Sequence, residues 1–104
     1  VLLLPVAPPP LLVLCGAGDD ARPLARQAVA LGFEVVVCDH RPARVDATRF
    51  PHCRLRVQPA DRFKDLAELA ACDAAIVMSH HLAADAAYLE ALTDAAHVGY
   101  VGLL

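Results

Sequence analysis

The chain has 104 residues, enough for one domain with a single core and too few for two. Hydrophobic residues make up 58% and charged residues 20%, the composition of a well-buried globular domain, which excludes a disordered chain. The formal net charge is -3 and no basic block occurs, so neither nucleic acid nor an anionic membrane surface is an expected partner.

Residues 1–10, VLLLPVAPPP, open the chain with an apolar run that Pro5, Pro8, Pro9 and Pro10 divide into pieces too short to span a bilayer. No charged region precedes it, as a signal peptide would require. The proline cluster predicts a stiff linker. Because the chain begins at Val1 and not Met, this linker is expected to follow an amino-terminal domain, with residues 11–104 forming the domain itself.

Residues 11–15, LLVLC, predict a buried strand, followed by the turn Gly16-Ala17-Gly18 and a helix that begins near Asp20 or Ala21. Leu24, Ala25, Ala28 and Val29 give that helix its apolar face, and Gly32 stops it. The turn has the pattern G-x-G-x-x-A between a strand and a helix, the context in which such a turn cradles phosphate. The small residues have distinct steric roles. Gly16 lets the chain reverse, Gly18 lets a phosphate approach the backbone, and Ala21 lets the helix pack close to the strand. Asp20 is placed to cap the helix, and Pro23 in its first turn sacrifices no helical hydrogen bond.

Residues 33–39, FEVVVCD, are a continuous apolar strand of the kind covered on both faces. His40-Arg41-Pro42 is a loop, and Asp46 caps a short helical turn that reaches Phe50 before Pro51. Residues 53–57 predict a third strand near the sheet edge. Asp61 is a cap for a helix carrying Phe63, Leu66, Ala67 and Ala70 at the 3.6-residue period. Residues 74–78 predict a fourth strand, Leu82, Ala86, Leu89 and Leu92 mark one face of a long helix, and residues 98–101 predict a fifth strand. Strands alternating with helices imply an α/β fold with a parallel sheet and right-handed crossovers. The expected architecture is a Rossmann-like doubly wound sheet of five strands in the order 3-2-1-4-5.

In such a sheet a crevice opens at the carboxyl ends of strands 1 and 4, where the strand order reverses. Topology brings three loops there, and the candidate cofactor-binding residues all come from them: Gly16, Ala17, Gly18 and Asp20; Asp39 and Arg41; Ser79 and His80. Asp39 follows the glycine turn by about 20 residues, the place of a carboxylate that accepts hydrogen bonds from a ribose, with a solvated strand-end acid as its plain alternative. His80 is a candidate for ligand contact or proton transfer, set against plain loop histidines; His80 and His81 together are poor metal ligands because consecutive loop residues point apart. Asp85 lies in the first turn of the next helix, where it favours the dipole. His52 and His97 are expected at the surface without a role. Cys15, Cys38, Cys53 and Cys72 lack CxxC spacing and are expected as reduced, mostly buried thiols of a cytoplasmic protein.

Asp19-Asp20 is the discordant feature. A glycine turn holds diphosphate through free N–H groups and the positive helix end, and two carboxylates there oppose an anion. Three outcomes are open: the acids turn outward, a cation bridges them to the ligand, or no dinucleotide binds.

Several segments together resemble the carboxyl-terminal Rossmann domain of the XdhC/CoxI family, accessory proteins in the maturation of molybdenum hydroxylases. These are CGAGDDARPLARQAVALGFEVVVCDHRP, the RFP of Arg49 to Pro51, MSHHLAAD and VGYVGLL, and the likeness runs over residues 8–104. In the strand-4 loop Ser79, His80 and Asp85 match the family pattern of threonine-histidine-x-histidine and a following aspartate, while Leu82 stands at its second histidine. The resemblance implies binding and protection of the molybdenum cofactor (molybdopterin) and its insertion into a molybdenum hydroxylase apo-enzyme after sulfuration with a cysteine desulfurase. It implies a cofactor chaperone and not an enzyme in itself. Two alternatives of other classes stand beside it: an NAD(P)-binding oxidoreductase domain, disfavoured by Asp19 and Asp20, and a nucleotide-sensing regulatory domain forming a homodimer through its apolar edge.

Overall fold

The computed structural model describes residues 8–104. The expected linker therefore lies, for its first seven residues, outside the described residues; Pro8, Pro9 and Pro10 are exposed and without regular structure. Five parallel strands form one sheet: β1 (Leu11–Cys15), β2 (Glu34–Asp39), β3 (Arg54–Val57), β4 (Ala74–Val77) and β5 (Tyr100–Leu103). Their order is β3-β2-β1-β4-β5, as the alternating pattern predicts, and every pairing is parallel. The helices α1 (Ala21–Ala30) and α2 (Leu82–Asp94) follow β1 and β4.

β1 is buried along its whole length, which is why its sequence shows no polar alternation. The period of two survives in what its side chains touch. Leu11, Val13 and Cys15 enter one apolar cluster with Val36, Cys38, Val77, Tyr88 and Leu92, on the α2 side of the sheet. Leu12 and Leu14 enter the other, against Ala21, Ala25 and Ala28 of α1 and against Phe50. Small alanines on α1 let the helix lie close to β1 and β2, as the glycine-turn pattern anticipates at Ala21. Gly32 ends the helix region in the left-handed conformation, φ +96°, which a residue with a Cβ adopts only at a cost.

Three expectations change at the level of elements. Residues 60–71 are not an α-helix but two 3-10 segments, Ala60–Asp65 and Ala67–Ala71. The buried hydrophobic positions are Phe63, Leu66, Leu69 and Cys72, a spacing of three that lines up one side of a 3-10 turn, whereas Ala67 and Ala70 do not share that spacing. The buried side of α2 is centred on Tyr88 and Leu92; Leu82 and Ala86 lie off it, with Leu82 fully in solvent. Tyr88 is the largest fully buried side chain and meets Phe63 edge-on at 5.1 Å, and this contact fixes the rotation of α2. β5 begins two residues later than predicted, because Val98 and Gly99 are still closing the turn, with N–H bonds to the carbonyls of Ala95 and Asp73.

Candidate functional site

The carboxyl ends of β1, β2 and β4 carry the three loops that topology assigns to the crevice. Gly16 ends β1 with φ +124° and donates its N–H to the Cys38 carbonyl at 2.8 Å. A Cβ at Gly16 would stand 2.7 Å from Cα and N of Ser79 and 2.8 Å from the Met78 carbonyl carbon. Gly16 therefore does more than let the chain reverse: it makes room for the backbone of the β4 loop to rest on the turn. Gly18 is different, since a Cβ there would meet only the Asp20 carboxylate, the far end of a side chain, at 2.9 Å.

Asp39 is 1% exposed, yet its carboxylate receives four donors: the N–H of Ala17 at 2.8 Å, and the N–H, Nε and Nη2 of Arg41 at 2.9, 3.1 and 3.0 Å. Burial by itself would raise its pKa; the hydrogen bonds from Arg41 and from the Ala17 and Arg41 backbone outweigh it and hold the value at about 2. An ionised carboxylate has about four lone-pair positions, and here each is matched by a donor of the chain itself. Asp39 thus ties the tip of β2 to the glycine turn, and Arg41 closes over it.

The two acids of the turn are both met by cationic or protonatable groups from elsewhere in the chain. Arg49 donates Nη2 to Asp19 at 2.7 Å and Nη1 to the carbonyls of Ala17 and Arg44 at 2.9 and 2.6 Å. Its guanidinium also lies 5.3 Å above the Phe50 ring, so four contacts fix it beside the turn. The Arg49 hydrogen bond and charge lower the Asp19 pKa. Asp20 contacts His80 Nε2 through Oδ2 at 2.5 Å, with both side chains about half exposed. The expectation that Asp20 caps α1 is corrected: it makes no side-chain cap bond, and its backbone, at φ -70° and ψ -22°, is already helical. A cap residue needs an extended backbone to fold its oxygen back over the N–H groups behind it.

In the β4 loop Ser79 is 6% exposed and committed to its own loop. Its Oγ donates to Asp85 Oδ1 at 2.5 Å, its N–H donates to the same oxygen at 3.1 Å, and its Oγ accepts the His81 N–H at 3.2 Å. Asp85 thus shapes the loop as well as favouring the α2 dipole. The tight loop holds His80 at φ +63°, in the left-handed region, and turns its ring toward Asp20. His81 points the other way, edge-on to His40 at 6.0 Å. Among the described residues no three His, Cys, Asp or Glu side chains are grouped to hold a metal ion.

The backbone N–H groups of Gly18, Asp19 and Asp20 make no hydrogen bond within the described residues, while those of Ala21 and Arg22 bond the Gly18 and Asp19 carbonyls. Open donors at a helix start, with Arg49 and His80 held beside them by Asp19 and Asp20, suit an anionic group. Beneath the crevice Cys15 and Cys38 stand opposite each other in the β1–β2 register, both fully buried and both free. Burial pushes both thiols up, with the neighbouring charge of Asp39 helping to bring Cys38 to about 12. Arg49 is the residue that reasoning on loops at strand ends misses, because its turn is not at a strand end; the RFP motif is its one signal. His97, expected to be without a role, bonds the Leu69 carbonyl through Nε2 at 2.8 Å and braces the second 3-10 segment.

The sequence profile of the XdhC Rossmann domain matches residues 12–104. The chain belongs to this family. It is 35% identical over 100 residues to a Bacillus subtilis (strain 168) protein named as a probable subunit of xanthine dehydrogenase, covering 95% of this chain and 30% of that one. A crystal structure of a xanthine dehydrogenase from Bacillus halodurans superposes with a TM-score of 0.81 at 30% identity, over 94% of this chain and 30% of that one. The chain therefore spans about a third of the length of these relatives. As an XdhC Rossmann domain, the chain places GAG, DHRP and SHH of the family likeness on the three loops that meet at the crevice. No described helix is long and apolar enough to cross a membrane.

Proposed function

We propose that this domain is the cofactor-holding part of a maturation factor for a molybdenum hydroxylase, and that its crevice receives the phosphate-bearing end of the molybdopterin cofactor. The observation that carries the reading is the treatment of the Asp19-Asp20 pair. Each acid is matched by a group from another segment, Arg49 for Asp19 and His80 for Asp20, and the N–H groups behind them stay open. The discord in the sequence is thus answered by partners from the chain itself. Gly18, the N–H groups of Gly18 to Asp20, Arg41 and His80 would hold the cofactor; when bound it would supply the redox and sulfur chemistry of the target enzyme, for which the domain offers no group of its own. Sulfuration by a cysteine desulfurase and delivery to the apo-hydroxylase complete the proposal; the family membership and the names of the relatives support the hydroxylase as partner.

Nicotinamide dinucleotide is the weaker reading, because of Asp39. A ribose diol needs a carboxylate with free acceptors, and the four donors from Ala17 and Arg41 leave Asp39 none. The test is to isolate the full-length protein from cells making molybdopterin and to measure bound pterin by the fluorescence of its oxidised form. The same preparation is probed for association with a molybdenum hydroxylase and a cysteine desulfurase. Bound pterin, lost in Gly18→Val at unchanged melting temperature, is the expected result. Absence of both pterin and association, with stabilisation by NAD(H) or by adenine nucleotides instead, would overturn the reading in favour of an oxidoreductase or a sensor.

A further inference from the structure

The two acids of the glycine turn are held in different ways, and the difference has a functional meaning. Arg49 is anchored by Asp19, by two carbonyls and by the Phe50 ring, and its side chain is only 16% exposed. It stays where it is whether or not a ligand arrives. His80 has Asp20 as its single side-chain hydrogen-bond partner, both are about half exposed, and an exchange of partners there disturbs nothing buried. The Asp20 carboxylate lies over Gly18, its Oδ1 2.9 Å from where a Cβ of that residue would stand, and against His80, which is the place and the partner an anionic ligand at this turn would take.

We infer that Asp20 is a specificity-determining competitor within the crevice: its carboxylate occupies His80, and a ligand's anionic group binds by displacing it. This rests on the reading of the crevice as an anion site. The other groups around the exchange are compatible with it. Asp19 is already neutralised by Arg49, Asp39 is enclosed by Arg41, and Asp85 is turned to Ser79, so Asp20 is the one turn carboxylate free to move. Displacement is unfavourable for a small anion with few other contacts and acceptable for a larger ligand that gains contacts along Gly18 and Arg41. Asp20 thereby excludes free phosphate from the crevice in favour of a phosphate carried by a larger molecule.

The test is calorimetric titration of the full-length protein with inorganic phosphate and, separately, with molybdopterin, comparing the parent with Asp20→Asn and His80→Ala singly and combined. Neutralising one carboxylate next to an anion should tighten phosphate binding about tenfold or more. In the Asp20→Asn background, His80→Ala should take most of that gain away, because His80 is then free to meet the phosphate. Molybdopterin should gain much less from Asp20→Asn than phosphate does. Equal phosphate binding by parent and Asp20→Asn would overturn the inference and leave the anion-site reading intact. No phosphate binding by either protein, together with no molybdopterin binding, would overturn that reading and the inference with it.

Discussion

Asp20 illustrates how far a residue's place in a motif differs from its work in the fold. Its position before a helix predicts a cap, and loss of a cap costs about 1 kcal/mol. Its helical backbone and its contact with His80 remove that role, so Asp20→Ala should unfold thermally or in urea within about 0.5 kcal/mol of the parent. A loss of a full cap's worth in that measurement would show that the carboxylate serves α1 after all. Asp39 runs in the opposite direction. A ribose ligand or a solvated acid would face outward, and Asp39 is instead a buried junction joining β2 to the turn through four donated hydrogen bonds. Residue type and spacing locate such a carboxylate correctly, but cannot say which donors reach it first. Arg41, two residues away in sequence, does so.

At the scale of elements, β1, the glycine turn and α1 are legible in the sequence because local signals agree there: an apolar run, two glycines and a periodic alanine face. Residues 60–71 are not legible, since Phe63 and Leu66 fit a period of 3.6 as well as one of 3, and only the burial of Leu69 and Cys72 separates them. The two alternatives predict different mutants. Leu69→Ala should cost about 2–5 kcal/mol in chemical denaturation, as for a core leucine, while Ala67→Ser, off the buried side, should be close to neutral. The reverse pattern would restore the α-helix. The face of α2 is hard to read for a related reason. Its alanines mark no side clearly, and the side is chosen by the fit of Tyr88 against Phe63, a long-range contact that sequence periodicity does not carry.

For the molecule as a whole, the Asp39 junction links the fold to pH. The folded pKa, about 2, lies below the ordinary 3.8, so the ionised form is favoured by folding. The stabilisation is fully present above pH 3.8 and is lost as the pH falls from there through about 2; the shift corresponds to about 2 kcal/mol. Asp39→Asn should therefore be less stable than the parent at neutral pH by about that amount, and its stability should fall less steeply as the solution is acidified through that window. Asp19 and Asp46, also lowered, titrate in the same direction, so some slope should persist. Equal slopes for parent and variant in acid denaturation would remove Asp39 from this role. The doubly wound topology is legible because strand–helix alternation implies parallel pairing with right-handed crossovers, and the glycine turn after β1 points to the order 3-2-1-4-5 that the sheet has. The site is legible only as far as its loops; Arg49 and the pairing of Asp20 with His80 depend on which side chains meet across 30 and 60 positions of sequence.

The missing side chain of Gly16 couples these loops mechanically. With the Ser79 backbone resting directly on the turn, nothing compressible lies between the floor of the crevice and the loop that bears His80. The turn and the Ser79 loop can therefore keep this spacing only while position 16 carries no Cβ.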